Sequence, residues 1–241
     1  MIGLPDGITA CLFDLNGVLT NTATLHRAAW KETFDALLRE RAGTGFAEFT
    51  EQDYLAHVDG PPRYDGVREF LASRGITLPE GEPDDPPNAA TVHGLGNHKN
   101  ALLQDLIDRE GVAPYPGSVR YLQAAAYAGV AIGVVTSSAN GAAVLEATGL
   151  IKFVQARIDG VVIQRDGLRG KPTPDPFLAG ARALGVAPAA AAVFEDALVG
   201  VAAGRTGGFG HVVGVDRTGQ AGALREHGAD VVVADLAELL P

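Results

Sequence analysis

Short apolar runs alternate with helical patterns through the second half of the chain, and this alternation restricts the fold more than any other feature. The runs that resemble strands are residues 130–135, roughly 158–163, 191–194, 212–215 and 231–233. Strands separated by helices in this way form a mostly parallel sheet that is covered by helices on both faces. We therefore predict an α/β fold with a doubly wound, mostly parallel sheet of the Rossmann type.

The first predicted strand is separated from the others by about ninety residues of helical sequence. An apolar run at residues 8–13 ends at Asp14, and no strand pattern follows before residue 114. Helical patterns occupy this interval at residues 23–41, 51–58, 67–74 and 98–110. We predict an α/β core made of residues 1–20 and 115–241, interrupted by an inserted helical domain at residues 21–114.

The acidic composition limits the possible partners of the chain. The net charge is -10, which argues against nucleic acid or an anionic membrane as the main partner. The single cysteine, Cys11, excludes an internal disulfide and is expected to be a small core residue. Residues 1–7 lack the pattern of a signal peptide. We expect a cytoplasmic, monomeric protein that binds small molecules.

Four separated segments place polar side chains that can take part in chemistry at predicted strand ends, the third of them at a loop-to-helix junction. These residues are Asp14, Thr136, Ser137, Lys171, Glu195 and Asp196. The carboxyl ends of parallel strands lie at one edge of a sheet, where ligands of open α/β folds bind. Taken alone, an aspartate after a strand is more often a cap of a turn or helix.

Together these groups have the chemistry of phosphoryl transfer. The Asp14 carboxylate can attack phosphorus and form an acyl phosphate. A Mg²⁺ ion held by carboxylates such as Glu195 and Asp196 would offset the repulsion between Asp14 and phosphate. The hydroxyl groups after the second strand can donate hydrogen bonds to phosphate, and Lys171 can neutralise the transferring group.

The four segments resemble, in the same order, the four motifs of the haloacid dehalogenase superfamily of phosphotransferases. The helical insertion is similar to the mobile cap domain of its first cap subclass, so the resemblance covers nearly the whole chain. Within that superfamily the chain most resembles the β-phosphoglucomutases. The segments that carry this resemblance are residues 14–23, 25–31, 60–63, 99–100, 138–140 and 170–175.

The resemblance implies roles for particular residues. The implied catalytic residues are Asp14 as the nucleophile, the position of Asn16, Thr22, His26 and Lys171. The implied substrate-binding residues are Trp30, Gly60, Arg63, Lys99, Thr136, Ser137, Ser138 and Asn140. The implied Mg²⁺ ligands are Asp14, the backbone carbonyl of Asn16, Glu195 and Asp196. The implied reaction interconverts β-D-glucose 1-phosphate and glucose 6-phosphate through glucose 1,6-bisphosphate, so the partners would be small sugar phosphates.

Residue spacing alone leaves simpler interpretations open in the helical insertion. His26 and Trp30 are four residues apart on one helix face and could be ordinary core or surface residues. Arg63 could form a surface ion pair with Asp59 or Asp65, which would contribute little stability. A lysine in a helical pattern, such as residue 99, could be an ordinary solvated charge.

Asn16 departs from the pattern of the superfamily. Enzymes of this type carry a second aspartate two residues after the nucleophile, and its carboxyl exchanges a proton with the reacting oxygen. An asparagine side chain has no titratable proton and cannot act in this way. General acid–base catalysis typically contributes about 10²–10⁴-fold, so we predict slow turnover. A sugar-phosphate phosphatase and a catalytically silent sugar-phosphate-binding domain remain alternatives.

Overall fold

A computed structural model describes residues 2–241, except for the side chain of residue 44. The chain forms two compact units. The smaller unit is Thr22–Gly111, and the larger unit combines the chain up to Asn21 with Val112–Pro241. The role of residues 21–114 as a cap domain stays a prediction. None of the helices formed by residues 2–241 is long and apolar enough to cross a lipid bilayer.

The smaller unit is helical. Its helices are α1 (Ala23–Ala42), α2 (Glu51–Asp53, continued by one π-helical turn at Tyr54–Val58), α3 (Arg63–Ser73) and α4 (Val92–Glu110). Helix α2 begins with a capping box, in which the Thr50 hydroxyl accepts from Asp53 N and the Asp53 carboxylate accepts from Thr50 N. Stacked and tilted aromatic rings form the core of the smaller unit; they are Trp30, Phe34, Phe49 and Phe70.

Helix α4 begins six residues before the predicted start at residue 98. The Thr91 hydroxyl caps it by accepting from Gly94 N at 2.9 Å. The sequence did not predict this first turn, because it contains Gly94 and Gly96 and glycine is a poor helix former. Both glycines serve close packing, since a Cβ on Gly96 would lie 2.7 Å from the Tyr64 ring. This added part of the helix contains Asn97, which accepts a hydrogen bond from the predicted site residue Arg63.

The larger unit contains a fully parallel six-stranded sheet of order β3-β2-β1-β4-β5-β6, which confirms the predicted fold class. The strands are β1 (Ala10–Phe13), β2 (Ala131–Val135), β3 (Ala156–Ile158), β4 (Ala191–Glu195), β5 (His211–Val215) and β6 (Val231–Val233). Successive strands are added on one side of β1 and then on the other. The direction therefore reverses between β1 and β4, and ligands of such sheets bind at this reversal.

Helices and the central strand form the core of the larger unit. Its helices are α5 (Pro116–Tyr127), α6 (Gly141–Ala147), α7 (Gly160–Arg165), α8 (Asp175–Ala183), α9 (Leu198–Thr206) and α10 (Ala221–Glu226). All four residues of β1, including Cys11, have no exposed surface. Phe13 stacks on Phe194 of β4 with ring centroids 4.4 Å apart. Such a strand is expected at the centre of a parallel sheet, because both of its faces are covered.

The prediction of a strand over residues 158–163 is wrong. Strand β3 ends at Ile158, and α7 begins at Gly160. The Asp159 carboxylate caps this helix by accepting from Val161 N and Val162 N, both at 3.1 Å. The β-branched run that follows favoured a strand in the sequence, but the aspartate cap starts a helix there instead.

Candidate active site

Asp14 is held firmly at the carboxyl end of β1. Its N–H donates to the Phe194 carbonyl of β4 at 2.9 Å, so the residue continues the sheet hydrogen bonding. Its Oδ2 accepts from Asn16 N at 2.8 Å, and its Oδ1 accepts from Lys171 Nζ at 2.7 Å. The carboxylate is nearly buried. These contacts leave it little rotational freedom, as positioned nucleophiles require.

The segment of residues 14–20, here called the Asp14 loop, folds back on itself after the strand. Gly17 N donates to the Thr20 carbonyl at 2.8 Å, and Leu19 N donates to the Leu15 carbonyl at 3.0 Å. Gly17 has a φ of 91°, which favours glycine. A Cβ at this residue would lie 1.8 Å from Asp196 Oδ2, so the Asp196 carboxylate occupies the space that a side chain would need.

Lys171 connects the ends of three strands. It precedes α8 and is only 3% exposed. Its ammonium donates to Asp14 Oδ1 and to Glu195 Oε1, and more weakly to the Val135 carbonyl at 3.4 Å. The sequence predicted these groups at one edge of the sheet, and the structure brings them into direct contact.

The charges around Lys171 shift the ionisation of this cluster. Burial lowers the pKa of the Lys171 ammonium, but Asp14 and Glu195 raise it, and the net result is above its usual range. Burial raises the pKa of the Glu195 carboxyl to about 7, with Asp14 adding to the effect and Lys171 opposing it. Lys171 is therefore a persistent positive charge beside the candidate nucleophile.

The loop after β2 contains the predicted phosphate-binding hydroxyls. Thr136 is fully buried, and its Oγ1 accepts from Asn16 Nδ2 at 3.3 Å and from Ser138 N at 3.2 Å. The Ser138 hydroxyl accepts from Asn140 N at 3.2 Å. Ser137 packs against the start of α7, where a Cβ on Gly160 would lie 2.6 Å from the Ser137 carbonyl. The Asn16 side chain thus joins the Asp14 loop to this second loop.

The oxygen donors at this edge of the sheet fit a hard cation such as Mg²⁺. The Asp196 carboxylate lies directly against Gly17, the residue after the predicted carbonyl ligand Asn16. Glu195 differs, because its oxygens accept from Lys171 and from Ala197 N at 2.9 Å. Within residues 2–241, no three His, Cys, Asp or Glu side chains form a metal-binding cluster by themselves. A bound cation would therefore also need the backbone carbonyl and ligand or water oxygens.

In the smaller unit, Lys99 and His26 form a close pair, in which Lys99 is buried and His26 is half-buried. Lys99 is 3% exposed, and its Nζ lies 2.9 Å from His26 Nδ1 and 4.9 Å from the centre of the Trp30 ring. The interpretation of Lys99 as a solvated helix charge is wrong. Burial holds the pKa of Lys99 well below its usual range, and the Arg63 charge adds to this. Burial, followed by the Lys99 charge, lowers the pKa of His26.

Arg63 is held by neutral partners within the smaller unit. Its Nη2 donates to the Tyr64 hydroxyl at 2.9 Å and to Asn97 Oδ1 at 3.3 Å. Asp65, a candidate for a surface pair with Arg63, is paired with Arg68 instead. Among the described residues, Arg63 Nε is a buried nitrogen with no hydrogen-bond partner. A half-buried guanidinium that is held by neutral partners is suited to bind an anion.

Two other predicted residues take structural positions in the same unit. Thr22 is fully buried before α1, and its carbonyl accepts from His26 N at 2.9 Å. Gly60 has a φ of 98°, which other residues rarely adopt. Asn97, which the sequence did not single out, orients Arg63 through a contact across 34 positions in the chain. No local pattern marks such a residue.

We predict that Lys99 makes the stability of the chain depend on pH. Because its pKa is lowered from 10.5, the unfolded state binds more protons than the folded state between the lowered value and 10.5. The free energy of unfolding should therefore rise with pH in this window, by up to about 1.4 kcal/mol per pH unit. Urea unfolding between about pH 8 and pH 10 measures this slope, and Lys99→Met should reduce it.

Lys31→Met is the matched control for this prediction. Lys31 lies in the same unit, and its pKa is raised by hydrogen bonds to Asp35 and Glu48. Any stability that it contributes is lost only as the pH rises above 10.5, so its removal should not change the slope below that value. Equal slopes for the parent chain and Lys99→Met would contradict the prediction.

The comparisons with known proteins agree with this geometry. The family model of the haloacid dehalogenase-like hydrolases matches residues 8–208, and the chain belongs to this family. Two relatives, from Mycobacterium bovis and Mycobacterium tuberculosis, are named β-phosphoglucomutase. Each is 57% identical over 247 residues, covering 100% of this chain and 94% of the relative.

Two further comparisons extend this result. A validoxylamine A 7'-phosphate phosphatase of Streptomyces hygroscopicus is 30% identical over 231 residues, covering 95% of this chain and 94% of the relative. The crystal structure of a β-phosphoglucomutase from Clostridium difficile matches with a TM-score of 0.75 and 24% identity, covering 96% of this chain and 93% of that chain. The structural match supports the fold alone.

Proposed function

We propose that this protein is a β-phosphoglucomutase that interconverts β-D-glucose 1-phosphate and glucose 6-phosphate through glucose 1,6-bisphosphate. The observation that carries the proposal is the buried contact of Lys171 with Asp14 and Glu195 at the end of the central strands. The 57% identity to two proteins of that name supports the choice of reaction.

In the proposed reaction, an Asp14 oxygen attacks the C1 phosphorus of glucose 1,6-bisphosphate. The bond between phosphorus and the sugar oxygen breaks, and phospho-aspartate forms. Lys171 stabilises the charge on the transferring group, while the Thr136 and Ser137 region supplies hydrogen-bond donors. The phosphoryl group then passes from Asp14 to the free C6 hydroxyl of β-glucose 1-phosphate, which regenerates glucose 1,6-bisphosphate and the Asp14 carboxylate, and transfer of the C1 phosphoryl group to Asp14 releases glucose 6-phosphate. In this scheme the predicted roles of the residues in the smaller unit, with Arg63 at the second phosphate, stay predictions.

A bound Mg²⁺ would neutralise part of the charge that accumulates between Asp14 and phosphate. We propose Asp14, Asp196 and the Asn16 carbonyl as its protein ligands, with Glu195 contributing the oxygen lone pairs that its present contacts leave. Asn16 cannot supply the proton that the departing sugar oxygen requires, so this form should react slowly. The cytoplasmic location and the monomeric state stay predictions.

A sugar-phosphate phosphatase is the second candidate, because a relative with 30% identity is named as a phosphatase. It would use the same Asp14, Lys171 and cation site, but water would take the phosphoryl group. The third candidate is a silent sugar-phosphate-binding domain, and the observation that favours it is the amide at residue 16.

The direct test is phosphorus NMR of the purified chain with β-glucose 1-phosphate, magnesium chloride and a trace of glucose 1,6-bisphosphate. We expect glucose 6-phosphate to form at a rate about 10²–10⁴-fold below the median enzyme turnover of about 10 s⁻¹. The α-anomer of the substrate is the matched control and should not react. Release of inorganic phosphate would support the phosphatase, and binding without turnover would support the silent domain.

A further inference from the structure

Arg217, which the proposed reaction does not use, contacts the Asp14 loop directly. It lies just after β5, and its Nε donates to the Gly17 carbonyl at 2.7 Å. Its Nη1 donates to the Ala234 carbonyl at 2.7 Å, and its guanidinium lies 3.8 Å from the centre of the Tyr115 ring. Two carbonyls and an aromatic face therefore fix the orientation of this side chain.

The contact at the Gly17 carbonyl differs from those at the next two carbonyls of the Asp14 loop. The Val18 carbonyl accepts from the Ser118 hydroxyl, and the Leu19 carbonyl accepts from Tyr115 N. The Gly17 carbonyl accepts from a cation, and charge-assisted hydrogen bonds are roughly twice as strong as neutral ones. Gly17 has a positive φ and no side chain. Glycine restricts its own backbone less than other residues do, so the orientation of this carbonyl depends more on its hydrogen bond.

The segment that contains Arg217 also contacts Asp196, another proposed Mg²⁺ ligand. Gln220 Nε2 donates to the Asp196 carbonyl at 3.1 Å. The segment of residues 216–220, here called the post-β5 loop, is tied together by the Asp216 carboxylate. That carboxylate accepts from the backbone N–H groups of Thr218, Gly219, Gln220 and Ala221. The post-β5 loop thus contacts both the Asp14 loop and the Asp196 backbone.

We propose that Arg217, assisted by Gln220, is a positioning residue that sets the spacing between the Asp14 loop and Asp196 and thereby the affinity for Mg²⁺. This inference rests on the proposed function, because it concerns the cation of the same site. Groups that orient metal ligands without touching the metal typically change affinity or activity by about 10–100-fold when they are removed. We therefore expect the largest effect on cation binding.

The test compares the parent chain with Arg217→Met, which keeps the length of the stem but removes both donors. The shift of the melting temperature is recorded against magnesium chloride concentration in the absence of sugar phosphate, and it gives the apparent Kd. We expect the Kd to rise about 10-fold or more, and kcat at saturating magnesium to fall by a smaller factor. Arg217→Lys should recover part of the affinity, because it restores one donor.

Arg225→Met is the matched control, since Arg225 is exposed in the same unit and its side chain donates a hydrogen bond at 3.4 Å to the Ala221 carbonyl, outside the Asp14 loop and the Asp196 backbone. It should leave the Kd unchanged. If Arg217→Met does not fold, Gln220→Ala carries the test, and its Kd should rise in the same direction. A Kd equal to that of the parent chain in the folded variants overturns the proposal, as does a parent chain that magnesium does not stabilise.

Different results would contradict the mutase reaction and the positioning role of Arg217. If the parent chain binds magnesium and Arg217→Met weakens this binding, the positioning role holds even where no glucose 6-phosphate forms. If glucose 6-phosphate forms and Arg217→Met binds magnesium as the parent does, the mutase proposal stands and the role of Arg217 is wrong.

Discussion

The Asn16→Asp variant should convert β-glucose 1-phosphate about 10²–10⁴-fold faster than the chain as it stands, because it regains a titratable group beside the nucleophile. Asn16 is already held by its backbone N–H, which donates to Asp14 Oδ2. Its side chain lies 3.3 Å from the Thr136 hydroxyl, which can donate to a carboxylate as readily as it accepts from the amide. The new carboxyl should therefore take the place of the amide without a rearrangement.

Asn21→Asp is the matched control for this gain. Asn21 belongs to the same unit, and its Oδ1 accepts from Ala113 N at 3.1 Å, a contact that a carboxylate keeps. It adds the same charge outside the Asp14 loop and should leave turnover unchanged. Mass spectrometry of the parent chain and of this control must show an intact amide at residue 16, because asparagine before glycine is prone to deamidation, which would convert residue 16 to aspartate. Equal turnover of the parent chain and the Asn16→Asp variant would contradict the proposed proton role.

A binding measurement separates charge from chemistry in the same pair of proteins. The amide removes one negative charge near the bound phosphate, so glucose bisphosphate should bind to the parent chain at least as tightly as to the Asn16→Asp variant. Calorimetric titration of both proteins tests this expectation. Clearly weaker binding to the parent chain would show that the amide also distorts the site.

Lys171→Met should both destabilise the larger unit and nearly abolish phosphoryl transfer. Removing the cation leaves Asp14 and Glu195 as buried carboxylates without their common partner, and breaking a buried pair costs about 3–5 kcal/mol. Loss of the positive charge at the transferring group should lower kcat by about 10²–10³-fold. Urea unfolding and the coupled assay for glucose 6-phosphate measure the two effects separately.

The double variant Lys171→Met with Glu195→Gln shows whether charge explains the loss of stability. Removing the negative charge of Glu195, one of the two carboxylates left without a partner, should restore part of the unfolding free energy. Turnover should stay low because the Lys171 cation is still missing. Lys152→Met is the control, since Lys152 is an exposed lysine of the same unit. A single variant as stable as the parent chain, or a double variant that recovers nothing, would refute this account.

Asp14, Thr136 and Glu195 could be placed at one edge of the sheet from the sequence, because each lies at or just after the end of a parallel strand, whereas Lys171 lies in the loop before α8. Because β1 and β4 are neighbours in the sheet, their carboxyl ends bring Asp14 and Glu195 close together, and Lys171 contacts both. These positions depend only on hydrophobic patterning and on the common direction of the strands. The catalytic roles themselves stay predictions.

Other features depend on contacts that no local pattern records. The start of α7 is decided by the Asp159 cap, which outweighs the strand preference of the residues after it. The contact between Arg217 and Gly17 spans 200 positions of the chain and has no signal in the residues around either end. The direction of the Glu195 side chain, towards Lys171, is likewise a result of tertiary packing.

The order of the strands also determines when this protein can become active during its synthesis. Strand β1 leaves the ribosome first, but its neighbours β2 and β4 begin only at Ala131 and Ala191. At a synthesis rate of about 5–20 residues per second, the strand waits about 10–40 s before both edges are paired. The residues 22–111 between them form a unit of their own and can fold during this delay. A nascent chain that stops before Asp196 would therefore contain the nucleophile but no complete site around it.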